Sequence, residues 1–165
     1  MADRTPGPGD VPPLTRALHG RRDALGMSRA ATARQLGVSR HTVLAWETGF
    51  RQLSLPSAYA YAQLLHSQPE LRAVVGGTAP IPLGSCAAPG TVGARLWPVV
   101  RQFRAGRRAR EWTVAHVADR IGVSSPAVVA WERGDRQMSV RYAHAYADLL
   151  GCTLGLAPLT TRDAA

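Results

Sequence analysis

The sequence predicts an all-α protein in which two tandem copies of one small helical unit are joined by a Gly/Pro-rich linker. Three observations carry this reading. The stretch GVSRHTVLAWETG at residues 37–49 returns as GVSSPAVVAWERG at residues 122–134, an offset of 85 residues. Sliding residues 14–71 onto 99–156 needs no gap and matches about 23 of 58 positions, the signature of an internal duplication. Within each copy the apolar residues recur at the spacing of one face of a helix.

In the first helix of copy one, Leu14, Leu18 and Leu25 fall on one stripe, matched by Val99 and Phe103 in copy two. A second helix starts at Ser28 or Thr113, whose hydroxyls suit an N-cap, and runs to Leu36 or Ile121. Gly37 and Gly122 supply the left-handed residue that ends it. Val38 and Val123 then plug the corner, and Ser39 and Ser124 cap a third helix. The local pattern is helix, tight turn, helix.

Turning the third helix by 100° per residue separates two sides. Val43 and Trp46 face inward, as do their counterparts Val128 and Trp131. Outward lie His41, Ala45 and Thr48, with Arg40 exposed in the first turn. In copy two the outward set is Pro126, Ala130 and Arg133, with Ser125 in the first turn. Inward letters repeat and outward letters change, the pattern of two scaffolds of one shape carrying different reading heads.

The organisation that follows is a Pro-rich segment 1–13, a first unit 14–72, a linker 73–94, a second unit 95–157 and a tail 158–165. The two end segments are expected to be disordered. The linker is small and Gly/Pro-rich. Its Val74, Val75, Ile81 and Leu83 leave a short strand or an interdomain patch as the competing reading.

Composition bounds the function. The chain carries 20 Lys+Arg against 11 Asp+Glu, a net charge of +9, and every basic residue is arginine. That balance favours a polyanionic partner, although Arg, Ala, Gly and Pro are also what a GC-rich gene encodes. No apolar run reaches the ~20 residues of a membrane span, and the N-terminus lacks a signal-peptide core, so a soluble cytoplasmic protein without a membrane partner is expected. Cys86 and Cys152 stand apart, and His19, His66, His116 and His144 fit no ligand or catalytic spacing, so neither metal nor cofactor is expected. Without lysine, paired carboxylates or a nucleophile–base set, an enzyme is the least favoured class.

Each copy resembles the Cro/phage-repressor type of helix-turn-helix domain, the XRE family, through its Gly-Val-Ser turn followed by Trp-Glu-x-Gly. The resemblance covers about 58 residues in each half and implies two domains of four to five helices. It implies that the third helix enters the major groove of double-stranded DNA in a bacterial transcriptional regulator, at the nucleoid when bound. Carried over by position, it assigns Arg40, His41, Thr42 and Ala45 to base reading. Arg29 sits where the family often has a contacting Gln, and could grip a guanine or a phosphate. In copy two the reading surface is Ser125, Pro126, Ala127 and Ala130, poor in hydrogen-bonding groups. Ser28 and Thr113, at helix N-termini, suit phosphate contacts. Arg51, Gln52, Arg136 and Gln137 follow the third helices where family loops lie near the backbone, and outward Arg133 joins them.

The resemblance also implies an ion pair from the first helix to the end of the third, Arg22 with Glu47 and Arg107 with Glu132. The remaining aromatics, Trp97, Trp112, Tyr59 and Tyr61, carry no evident role. Arg101, Arg104, Arg107, Arg108 and Arg110 could add phosphate grip in copy two. The competing function is an antitoxin or regulatory adaptor whose helix-turn-helix units bind protein, motivated by the apolar reading face of copy two. A homodimer through Leu154, Leu156 and Leu159 also stays open.

Overall fold

The computed structural model describes residues 10–73 and 98–159. The linker residues Val74, Val75, Ile81, Leu83 and Cys86, together with Trp97 and nearly all of the end segments, lie outside them. Copy one forms α1 (Pro13–Ala24), α2 (Arg29–Leu36), α3 (Arg40–Glu47) and α4 (Leu55–Leu64), followed by strand β1 (Ser67–Ala73). Copy two repeats the order as α5 (Pro98–Ala109), α6 (Val114–Ile121), α7 (Ser125–Arg133), α8 (Val140–Leu149) and β2 (Cys152–Pro158). Helices carry most of the fold.

The boundaries follow from local chemistry. Ser28 accepts the Ala31 amide at 3.1 Å and Thr113 the His116 amide at 3.0 Å, each satisfying one of the free amides at a helix start. Gly37 (φ 66°) and Gly122 (φ 70°) take the left-handed conformation that closes α2 and α6, which a side chain with a Cβ adopts only under strain. Ser39 accepts the Thr42 amide at 3.0 Å. Ser124 makes no side-chain cap bond. The difference lies three residues on: the Ser39 hydroxyl also bonds the Thr42 hydroxyl at 2.9 Å, and Ala127 offers copy two no such anchor. The caps of α4 and α8 repeat the contrast, with Ser54 bonded to Ser57 and Ser139 facing Tyr142 without a cap bond.

Leu14, Leu18, Val99 and Phe103 are buried. Leu25 is not: α1 ends at Ala24, so the helical stripe stops one residue earlier and Leu25 is 44% exposed. Val43, Trp46, Val128 and Trp131 are all buried, so α3 and α7 have the expected phase.

The sheet was not anticipated from the sequence. β1 and β2 pair antiparallel from Ser67 opposite Pro158 to Ala73 opposite Cys152, with Glu70 opposite Gly155 at the centre. Residues 70 and 155 are equivalent under the 85-residue offset, so the two copies meet as the halves of a symmetric dimer would. Two further contacts obey the same rule. The Leu55 amide donates to the Met138 carbonyl and the Val140 amide to the Leu53 carbonyl, both at 2.8 Å, joining the segments that lead into α4 and α8. The Leu14 amide donates to Nε2 of His144 at 3.1 Å, and the equivalent Val99 amide to the Tyr59 hydroxyl at 3.3 Å.

The helices exchange partners across this junction, α1 packing on β2 and α5 on β1. Leu71 and Leu154 are buried opposite one another in the sheet, and the core runs continuously through both copies. Leu154 is therefore no external dimer surface. It already covers apolar area that a lone copy would leave open, while Leu159, just past the strand, is 38% exposed.

His144 makes the junction sensitive to acid. Burial, and then the nearby Arg16 charge, push its imidazole down to about 4, so it stays neutral and able to accept the Leu14 amide. The unfolded chain binds this proton near pH 6.5 and the folded chain only near 4, so stability falls as pH drops through that window. Tyr59 holds the equivalent bond in the other copy with a group that does not titrate there. His144→Tyr is accordingly expected to remove about 2 kcal/mol of acid destabilisation between pH 7 and 4.5. Urea unfolding of both proteins at the two pH values measures it, and parallel losses would refute the assignment.

Candidate nucleic-acid interface

Each third helix is held by one buried carboxylate. In copy one, Arg22 of α1 donates from Nε to Glu47 Oε1 at 2.7 Å and from Nη2 to Oε2 at 3.3 Å, while its Nη1 donates to the Met27 carbonyl at 2.7 Å. The Tyr61 hydroxyl of α4 donates to the same Oε1 at 2.9 Å. In copy two, Arg107 donates to both oxygens of Glu132 at 2.7 Å and to the Trp112 carbonyl at 2.8 Å, and Tyr146 donates to Oε1 at 2.9 Å. A forked guanidinium on a carboxylate is directional as well as strong, so it fixes both the angle and the position of the third helix.

The electrostatics follow from this geometry. Burial alone would push the Glu47 carboxyl up, but the bonds from Arg22, Arg29 and Tyr61 outweigh it and hold it below the usual carboxylate range. Burial opposes Glu132 in the same way, and Arg107 with Tyr146 outweigh it. Both phenols are pushed up, by burial first and then by the adjacent carboxylate, which keeps them protonated as donors. Tyr61 and Tyr146 were overlooked as functional in the sequence. The available signal was their recurrence 14 residues after each repeated glutamate.

With the helices fixed, the outward faces can be described. Arg40 and His41 are exposed in the first turn of α3, with Thr42 and Ala45 half-buried beside them. On α7, Pro126 and Arg133 are exposed, and Ser125, Ala127 and Ala130 are half-buried. Ser28 and Thr113 are exposed at the starts of α2 and α6, their hydroxyl oxygens already accepting cap bonds. Arg51, Gln52, Arg136 and Gln137 are exposed in the turns after the third helices. Those turns fold back on the helix, the Arg51 amide donating to the Ala45 carbonyl at 2.9 Å and the Arg136 amide to the Ala130 carbonyl at 3.2 Å.

Arg29 is placed differently from its neighbours. Its Nε donates to Glu47 Oε2 at 2.6 Å, so its guanidinium is drawn toward the ion pair under α3. Copy two has Val114 at this position and therefore a simpler network. Of the arginines along and after α5, Arg107 is committed to Glu132, and Arg110 donates to the carbonyls of Gly106 and Leu150 while lying over the Trp112 ring. Arg101 and Arg108 are exposed and Arg104 is half-buried.

Two stretches of the chain, residues 13–75 and 99–159, match the family described as Helix-turn-helix domain. The chain belongs to that family. It carries the domain twice, in the XRE-like form, and the matched stretches cover most of its length. Nothing among curated proteins or solved structures matches it. Membership places this helix-turn-helix protein among DNA-binding regulators at the general level. No helix among the described residues is long and apolar enough to cross a membrane, and no group of three or more His, Cys, Asp or Glu among them could hold a metal ion.

Proposed function

We propose that this helix-turn-helix protein is a sequence-specific, double-stranded-DNA-binding transcriptional regulator that acts as a dimer within one chain, offering α3 and α7 to two major-groove segments of one duplex. The supporting observation is the mirrored junction. The segments that follow the two third helices meet at Ser54 and Ser139, so the reading heads are set apart by protein structure, whatever the connecting residues do. Successive major grooves on one face of DNA lie ~34 Å apart.

The heads are unequal. Arg40 can form a bidentate contact with guanine and His41 a second base-edge bond, whereas Ser125, Pro126, Ala127 and Ala130 offer one hydroxyl and small apolar surfaces that suit thymine methyls. An asymmetric operator follows, with one half-site read strictly and the other held more through its backbone and shape.

Gel shift of genomic fragments at ~150 mM salt tests specificity, since backbone attraction fades steeply with salt. No preference over competitor DNA would reject the reading. Arg40→Ala is expected to cost ~1–3 kcal/mol and to relax selection at one base position. Arg51→Ala weakens all sequences alike and lowers the salt slope by about one. A matrix of single-base operator variants against the two proteins separates these outcomes.

A further inference from the structure

One cavity of about 160 Å³ opens beside the end of α3, on the seam between the copies. Its walls include Trp46 and Phe50, the arginines Arg51 and Arg141, the Thr15 side chain, and Asp10 at the rim. Arg141 comes from α8, so both copies contribute. Two of these groups are unusual. The Thr15 residue is 2% exposed, and its hydroxyl finds no hydrogen-bond partner, a costly state for a buried polar atom. Phe50 is 91% exposed, a large apolar ring with nothing over it.

We propose that this cavity binds a small aromatic carboxylic acid, whose ring lies against Trp46 and Phe50 and whose carboxylate meets Arg51 and Arg141. Size and charge select that class. An apolar cavity of about 150 Å³ holds a benzene ring, so this one takes a single ring and little more. Two guanidiniums against one carboxylate leave the site favourable to an anion, and a planar carboxylate matches the guanidinium fork.

The other copy provides an internal control. At the equivalent positions Thr15 is replaced by Val100, Phe50 by Asp135 and Arg141 by Pro56, so the donors are lost and a negative charge is gained. The chain therefore carries one such site, on the side of the arginine-bearing head. The cavity shares Arg51 and Gln52 with the proposed backbone contacts, so an occupant alters DNA affinity. That consequence, unlike the binding itself, rests on the function proposed above.

Isothermal titration of the full chain with benzoate, in the absence of DNA, is the test. Saturable 1:1 binding with a dissociation constant of about 1 mM or tighter is expected, the range open to a ligand of this size. Benzyl alcohol and inorganic phosphate should each bind about tenfold more weakly. Phe50→Asp installs the residue of the other copy at a surface position where folding is not at stake, and should weaken benzoate about tenfold; Arg141→Ala should do the same.

No saturable heat up to about 20 mM, a 2:1 stoichiometry, or wild-type affinity in Phe50→Asp would overturn the site. Phosphate binding as tightly as benzoate would overturn the aromatic class and mark the arginines as a cradle for the DNA backbone. With the site saturated, affinity for the preferred DNA fragment should change about fivefold. Unchanged DNA affinity alongside intact 1:1 binding overturns the regulatory consequence alone.

Discussion

Glu132→Ala lowers the unfolding free energy by about 3–5 kcal/mol, the cost of leaving a buried charge without its partner. The Arg107 side chain is 11% exposed, and without Glu132 it keeps only the Trp112 carbonyl, while the Tyr146 hydroxyl loses its acceptor. The two networks also predict an order. Removing Arg107 strands Glu132 with Tyr146 alone. Removing Arg22 leaves Glu47 with Arg29 at 2.6 Å, Tyr61 at 2.9 Å and His19 at 3.7 Å. Arg107→Met is therefore expected to destabilise more than Arg22→Met, by about 1 kcal/mol or more. Urea unfolding of the three variants measures both the size and the order. A loss below 1 kcal/mol in Glu132→Ala, or the reverse order of the arginines, contradicts the description of the networks.

Five base pairs inserted between the half-sites of the operator cut affinity about a hundredfold. Half a helical turn moves one groove to the opposite face of the duplex, and the second contact, worth ~10²-fold or more when intramolecular, is lost. A flexible connection would behave otherwise. About 21 residues of Gly/Pro-rich chain have an r.m.s. reach near ~25 Å, enough to follow a displaced half-site with little penalty. The heads are instead joined by β1–β2, by the Leu53–Leu55 and Met138–Val140 hydrogen bonds, and by Leu71 against Leu154. Leu154→Asp, which places a charge in that seam, should weaken the two-site operator far more than a single half-site. An operator series that tolerates any spacing would show that the junction opens on DNA, and would remove the basis for a one-chain dimer.

The reading of the sequence succeeded where the determining interactions are short. Gly37 and Gly122 end helices through their own φ, Ser28, Ser39 and Thr113 cap helices through amides three residues away, and Val43, Trp46, Val128 and Trp131 take the inward phase from a 3.6-residue period. Where a neighbour outside that window decides, local reasoning misleads. Ser124 has the type and position of a cap, yet Ala127 gives its hydroxyl no anchor. Leu25 keeps the apolar spacing of α1 but falls past its end.

The strands were hidden for a related reason. SQPELRA and CTLGLAP hold a proline each and little β-branching, and neither forms a strand without the other, 85 residues away. By itself, then, the sequence determined the duplication, the helical elements, the tight turns and the outward letters of each third helix, because these are written in interactions of a few residues. Only tertiary structure decided that the copies share one core, that Arg29 turns toward Glu47, that Tyr61 and Tyr146 complete the carboxylate networks and that Arg141 reaches a cavity of the other copy. Each of these depends on surfaces that exist only after helices have packed, and pairing at such separation depends on how well whole faces bury one another.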